Sequence, residues 1–128
     1  MNIELMKNNL YESKLRCYER YKEKFFKVRN NLNLIRFSNR SGCHINCFRF
    51  NLSESREHIL KKLDVCIDLL KKKHKFITEA VFIDGGRADV FDLTEGTIYE
   101  IMNSESDKEF KEKVKKYPEE IGVVKVGV

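Results

Sequence analysis

The sequence predicts an α/β domain with a mixed central sheet flanked by helices, preceded by a basic helical extension. Three observations carry that reading. Apolar residues recur at spacings of three, four or seven along two long charged stretches, which is the period of a helix face. Between Lys75 and Ser104, three short runs alternate apolar and polar residues around Gly-containing turns, which is the period of a strand. One more helical stretch and an apolar run, "IGVVKVGV", follow, and a strand reached through a helical crossover lies parallel to the strand it left.

From Ile3 to about Val28, the positions Ile3, Met6, Leu10, Cys17, Tyr21, Phe25 and Val28 form one helical stripe with Lys and Arg opposite. "NNLNLIRFSNRSG" breaks that pattern, and "HINCFRF" alternates like a short strand. The next helix spans "NLSESREHILKKLDVCIDLLKKKH", with Asn51 or Ser53 as N-cap and Glu54 and Glu57 in the first turn. Its apolar stripe is Ile59, Leu63, Cys66, Ile67 and Leu70. "KFITEAVFID" and "RADVFDL" read as strands joined at "DGG"; "TEG" is a tight turn and "TIYEIMNS" a third strand. "SDKEFKEKVKKYP" is a helix with a Ser or Asp cap that ends before Pro118, with Phe110, Val114 and Tyr117 on one face. The final run is apolar except for Lys125 and is expected to be a strand covered on both faces. Residues 1–50 are thus a basic extension with a short strand, and 51–128 an α/β core. No Pro- or Ser-rich linker separates them, so one compact unit is expected.

The 128 residues suffice for one core. Residues 1–64 carry a charge of +7 and residues 65–128 a charge of −2, for a net +5. A basic half beside an acidic half suits a protein that meets a polyanion with one face and holds a cation with another. No run reaches the length of a membrane span, and the first residues lack the apolar region of a signal peptide. Four cysteines in that setting read as reduced thiols. The expectation is a soluble, cytoplasmic protein with no membrane contact.

Asp89 stands in the second strand and Glu100 in the third. If the hairpin closes around "TEG", the two carboxylates lie near one another on one side of the sheet. Two such carboxylates repel unless a divalent cation lies between them. Mg²⁺ there can activate water and stabilise charge on a phosphate, which is phosphodiester hydrolysis. Glu79, on the preceding strand, and Glu57, in the first turn of the preceding helix, are placed to assist.

The order helix, meander with Asp, a Glu about ten residues on in an apolar strand, helix, strand resembles the core of the PD-(D/E)XK nuclease superfamily, which includes restriction endonucleases and archaeal Holliday-junction resolvases. The resemblance covers roughly Asn51 to Val128. Asp89 in "GGRADV" takes the place of the family's first metal-binding acid, and Glu100 in "YEIM" the second. Glu57 and Glu79 fall where some members carry further acids. The family's lysine follows the second acid by two positions, and here that residue is Met102. Some branches move the lysine to the following helix, which makes Lys113 the candidate and Lys111 the second choice. Lys113 precedes Tyr117 by four residues, similar to the Gln-x-x-x-Tyr signature of exonuclease-like members. The resemblance therefore implies a restriction-endonuclease-like fold and a Mg²⁺- or Mn²⁺-dependent deoxyribonuclease, with Asp89 and Glu100 on metal and Glu79, Glu57 and Lys113 assisting. A catalytically inactive module that binds nucleic acid or protein is the alternative that Met102 leaves open.

Arg36, Arg40 and Arg49, interleaved with Phe37, Phe48 and Phe50, can pair with phosphates and stack on bases, and Arg87, Lys111 and Tyr117 flank the acids. DNA is the expected partner. The first helix, with Lys14, Arg16, Arg20, Lys24 and Lys27, can serve as a backbone clamp or a homodimer arm. Zinc is not expected. Cys43, His44 and Cys47 lack the usual C-x-x-C spacing, and Cys17 and Cys66 fall on apolar stripes where they act as small hydrophobes. No nucleophile triad and no phosphate loop is present.

Overall fold

The computed structural model describes residues 3–36, 44–102 and 107–128. Arg40, Cys43, Phe37 and the Ser106 cap position lie outside the described residues. The elements in chain order are α1 (Ile3–Leu32), α2 (Arg56–Lys71), β1 (Phe76–Val81), β2 (Arg87–Asp92), β3 (Thr97–Met102), α3 (Asp107–Val114) and β4 (Gly122–Gly127). The strands form one mixed sheet in the order β1-β2-β3-β4, antiparallel except for the parallel β3–β4 pair. The α/β class and the parallel return of β4 through α3 agree with the crossover rule. No helix among the described residues is long and apolar enough to cross a membrane.

The sheet buries a cluster on each face. Cys66 and Leu69 of α2 pack on Phe76, Val90 and Ile101. The other cluster gathers Ile77, Phe82, Phe91, Leu93, Ile98 and Tyr117 around Ile35, with Val28 and Leu32 from the end of α1. Each large side chain so buried contributes about 1.5–3 kcal/mol of transfer free energy.

Four expectations shift. β4 is an edge strand with Val124 43% exposed, not a doubly covered one; an apolar run alone does not say how many neighbours it will have. "HINCFRF" is not a strand. Thr78 Oγ1 donates to the Cys47 carbonyl and accepts from Arg49 N, and Asn46 bonds Phe76 through its N–H and its side chain. These ties replace a backbone ladder, and Asn46 at φ 58° turns the chain away from extended geometry. The N-cap of α2 is Ser55, later than predicted, and its buried face is Lys62, Cys66 and Leu69 rather than the Ile67–Leu70 side. Finally, α1 runs to Leu32, and Cys17, Tyr21 and Phe25 of its stripe are exposed.

One irregularity positions the site. The β1–β2 register is continuous from Phe76↔Asp92 to Val81↔Arg87 except at Glu79 and Asp89, which would pair. Glu79 has φ 53°, a left-handed conformation that costs a non-glycine residue about 1–2 kcal/mol. Strict alternation would oppose Ile77 to Ala80 and Ala88 to Phe91, yet all four lie in one cluster. Both strands therefore slip by one side chain at the same level, which releases both acids from the sheet faces.

Candidate metal centre

α2 begins beside this break. Ser55 Oγ accepts a hydrogen bond from His58 N at 3.2 Å, fixing the first turn with Glu54 just before the cap. On β2, the ladder to β3 ends at Val90↔Tyr99. Beyond it, Asp89 Oδ2 accepts from Ile101 N at 2.9 Å, so a side chain replaces a backbone acceptor. That leaves Asp89 Oδ1 3.7 Å from His58 Nε2, which is 4.0 Å from Glu54 Oε2. One ligand atom from each of Glu54, His58 and Asp89 lies within 4.8 Å of the others. Glu54 Oε2 and His58 Nε2 are buried without a hydrogen-bond partner, and such atoms cost about 1–3 kcal/mol each. A divalent cation would satisfy both. Two carboxylates and an imidazole fit Mn²⁺ well and admit Mg²⁺.

Lys62, one turn after His58, is fully buried. Its Nζ hydrogen-bonds Glu79 Oε1 and lies 3.5 Å from Glu54 Oε1. Arg87 Nη2 holds the other Glu79 oxygen at 2.6 Å. Burial pushes the Glu79 carboxyl up, but the Lys62 bond and charge, Glu54 and Arg87 outweigh it and leave it below the usual range. Glu54 moves the other way, raised by burial and by Glu79 against the pull of Lys62 and His58.

Glu100 is fully buried and turns toward α3. Lys113 Nζ donates to its Oε2 at 2.9 Å, and Tyr117 Oη bonds its Oε1. The same hydroxyl lies 2.8 Å from the Arg87 carbonyl. Burial first, and the Asp89 charge second, raise the Glu100 carboxyl; Tyr117 and Lys113 oppose them. Gly86 makes room for this arrangement, since a Cβ there would meet the Lys116 carbonyl at 2.7 Å and the Tyr117 ring at 2.9 Å.

The acids predicted as one pair thus stand in adjoining subsites, coupled through charge. Asp89 joins Glu54 and His58, and Glu100 joins Lys113 and Tyr117. Glu79 is held by Lys62 and Arg87. Glu57 is exposed on α2; with the cap at Ser55, the acid that reaches the cluster is Glu54. Lys113 reaches Glu100 from α3, and Lys111 and Arg36 are exposed. Arg49 donates to the Thr78 carbonyl at 2.7 Å and ties its segment to β1. Tyr117 is buried and braces Glu100 instead of facing solvent. Cys17 is exposed, Cys47 half-buried and Cys66 buried, all as free thiols.

His58 and Lys62 escaped the sequence reading. Their signal was spacing: His58, Lys62, Cys66 and Leu69 share one face of α2, so two polar residues extend an apolar stripe. No protein-family profile, no curated protein and no solved structure matches the chain.

Proposed function

We propose that this chain is a metal-dependent nuclease domain of PD-(D/E)XK type that hydrolyses DNA phosphodiester bonds. The observation that carries the reading is the cluster of Glu54, His58 and Asp89, with two orphaned buried atoms, beside a fully buried Glu100 that bears a lysine. Asp89 Oδ1, His58 Nε2 and Glu54 Oε2 would hold the cation. When bound, a divalent cation polarises the phosphate and lowers the pKa of water. Asp89 is oriented for this by Ile101 N. Lys62 and Arg87 hold Glu79 and so keep excess carboxylate charge off the centre. Lys113, 2.9 Å from Glu100, brings an ammonium that offsets charge developing on the phosphate, the part that Met102 cannot play. A cleft of about 460 Å³ lined by Arg49, Phe50, Asn51, Leu52, Glu79 and Arg87 opens beside the site and offers a path for the strand.

The test is cleavage of end-labelled linear and branched DNA in Mn²⁺ or Mg²⁺. Asp89→Asn keeps an oxygen for Ile101 N and should lose cleavage; Lys113→Ala should lose about 10²-fold or more in rate. Cleavage equal to native in Asp89→Asn would exclude this site.

A second reading has its own support. Met102 is buried where the family resemblance would place a lysine, and Lys113 is already ion-paired with Glu100. An inactive module that binds nucleic acid would retain DNA in a shift assay and cleave none in either metal.

A further inference from the structure

We infer that the exposed face of α1 and the groove at its C-terminal end bind unpaired nucleotides of the substrate strand, an inference that rests on the nuclease reading above. The stripe that presses Val28 and Leu32 into the core does not stop where the sheet ends. It continues through Phe25, Tyr21, Tyr18 and Tyr11, which are 54%, 69%, 60% and 67% exposed. Steps of three, four and seven residues keep these rings on one face of the helix. Tyr21, Phe25 and Val28 then form one wall of a groove of about 640 Å³ that runs to Ile45 and the start of β1.

The charged residues that line this groove are Lys24, Arg29, Lys73 and Lys75, with no acid among them. Glu95, 3.9 Å from Lys27, stands outside the lining. From Tyr11 to Leu32 the helix carries seven Lys/Arg and three Glu. Pairing with a second copy would set the basic flanks Lys22, Lys24 and Arg29 against their own kind, which repels. A polyanion with flat apolar faces satisfies both features at once: rings stack on bases while the cations meet phosphates. Bases within a duplex are covered by their neighbours, so the platform selects unpaired ones.

The placement fits a substrate that spans both sites. From His58 to Lys71, α2 advances about 20 Å at about 1.5 Å per residue, so its ends separate the metal cluster from this groove. That span is about six stacked nucleotides at about 3.4 Å each. The substrate class is then DNA with a single-stranded tail, flap or branch.

The test measures fluorescence anisotropy of labelled DNA in EDTA at several salt concentrations. A 12-nucleotide single strand, a blunt duplex and a tailed duplex are compared on the native protein. The single strand and tailed duplex should bind more tightly than the blunt duplex and quench tyrosine emission, which is readable because the chain has no Trp. Tyr21→Ala with Phe25→Ala should weaken single-strand binding about tenfold or more. Lys24→Ala with Arg29→Ala should flatten the salt slope by about one to two. Equal binding of single strand and duplex, an unchanged affinity in the aromatic variant, or binding of a synthetic acidic helical peptide with none of DNA would overturn the inference. If the native protein cuts blunt duplex through Asp89 while the α1 variants bind single strands like native, this inference fails and the nuclease reading stands. Single-strand binding that depends on Tyr21 and Phe25, without cleavage, gives the reverse.

Discussion

A fully buried carboxylate such as Glu100 holds a charge only against its desolvation, and Lys113 and Tyr117 offset that incompletely, so its carboxyl stays above the ordinary value of 4.5. The stability it contributes is therefore complete below that value and is lost as pH rises through the higher pKa of the folded state. Glu100→Gln should equal or exceed the native protein in Tm at pH 7–8, with the difference shrinking toward pH 4, while metal-dependent cleavage is lost. A variant less stable than native at every pH would contradict this. Glu79 behaves oppositely: its lowered carboxyl contributes stability above the ordinary range, lost as pH falls through its folded pKa. Lys62→Met removes the buried partner of Glu79 and should cost about 3–5 kcal/mol in urea unfolding at neutral pH, with a smaller penalty under acid conditions. Asp89 and Glu100 were legible as acids on neighbouring strands, but alternation paired them, whereas the slip at the Glu79–Asp89 level sends them to separate subsites. His58 and Lys62 were not legible, because a charged residue on a helix reads as solvated until the sheet that covers it is known.

The elements show the same division. The three strands of the meander were legible because Gly85 and Gly96, at φ 98° and 73°, mark the turns between alternating runs. The ends of the sheet were not: nothing local distinguishes an apolar edge strand from a central one, and nothing in "HINCFRF" announces that Thr78 would take its hydrogen bonds. For α2 the phase of the stripe decides, and it makes Cys66 a core residue against Val90 and Ile101. Burial pushes its thiol up to about 12 from 9.0. Its contribution is thus full below pH 9 and lost as pH rises from 9 to about 12. In a thiol titration at pH 8, Cys17 should react at once and Cys66 only on unfolding; prompt reaction of a Cys17→Ser, Cys43→Ser, Cys47→Ser variant would show that α2 is not seated as described. For α1, residues 11–20 are exposed, whereas Val28 and Leu32 pack on the core. Deleting residues 1–20 should change stability by no more than about 0.5 kcal/mol, and deleting through Leu32 should lower Tm by several degrees.

At the scale of the whole molecule, the proposed function places two sites at opposite ends of the sheet. One end joins α2, β1, β2 and β3 at the slipped Glu79–Asp89 level, where carboxylates, an imidazole and two lysines converge. The other carries the basic groove beneath α1. The two sequence halves do not map onto these ends, since Glu54 and His58 come from the basic half and Lys73 and Lys75 from the acidic one. The slip that gathers the acids depends on a left-handed Glu79 that no residue pattern encodes. Whether Glu54, His58 and Asp89 form a metal centre is tested most directly by following Tm during a Mn²⁺ titration of the native protein, Asp89→Asn and His58→Ala. Tm of the native protein should keep rising with the logarithm of Mn²⁺ concentration above Kd, equivalent to about 2.7 kcal/mol at a hundredfold excess, and the rise should be lost in both variants. No rise in the native protein, or an equal rise in Asp89→Asn, would contradict it.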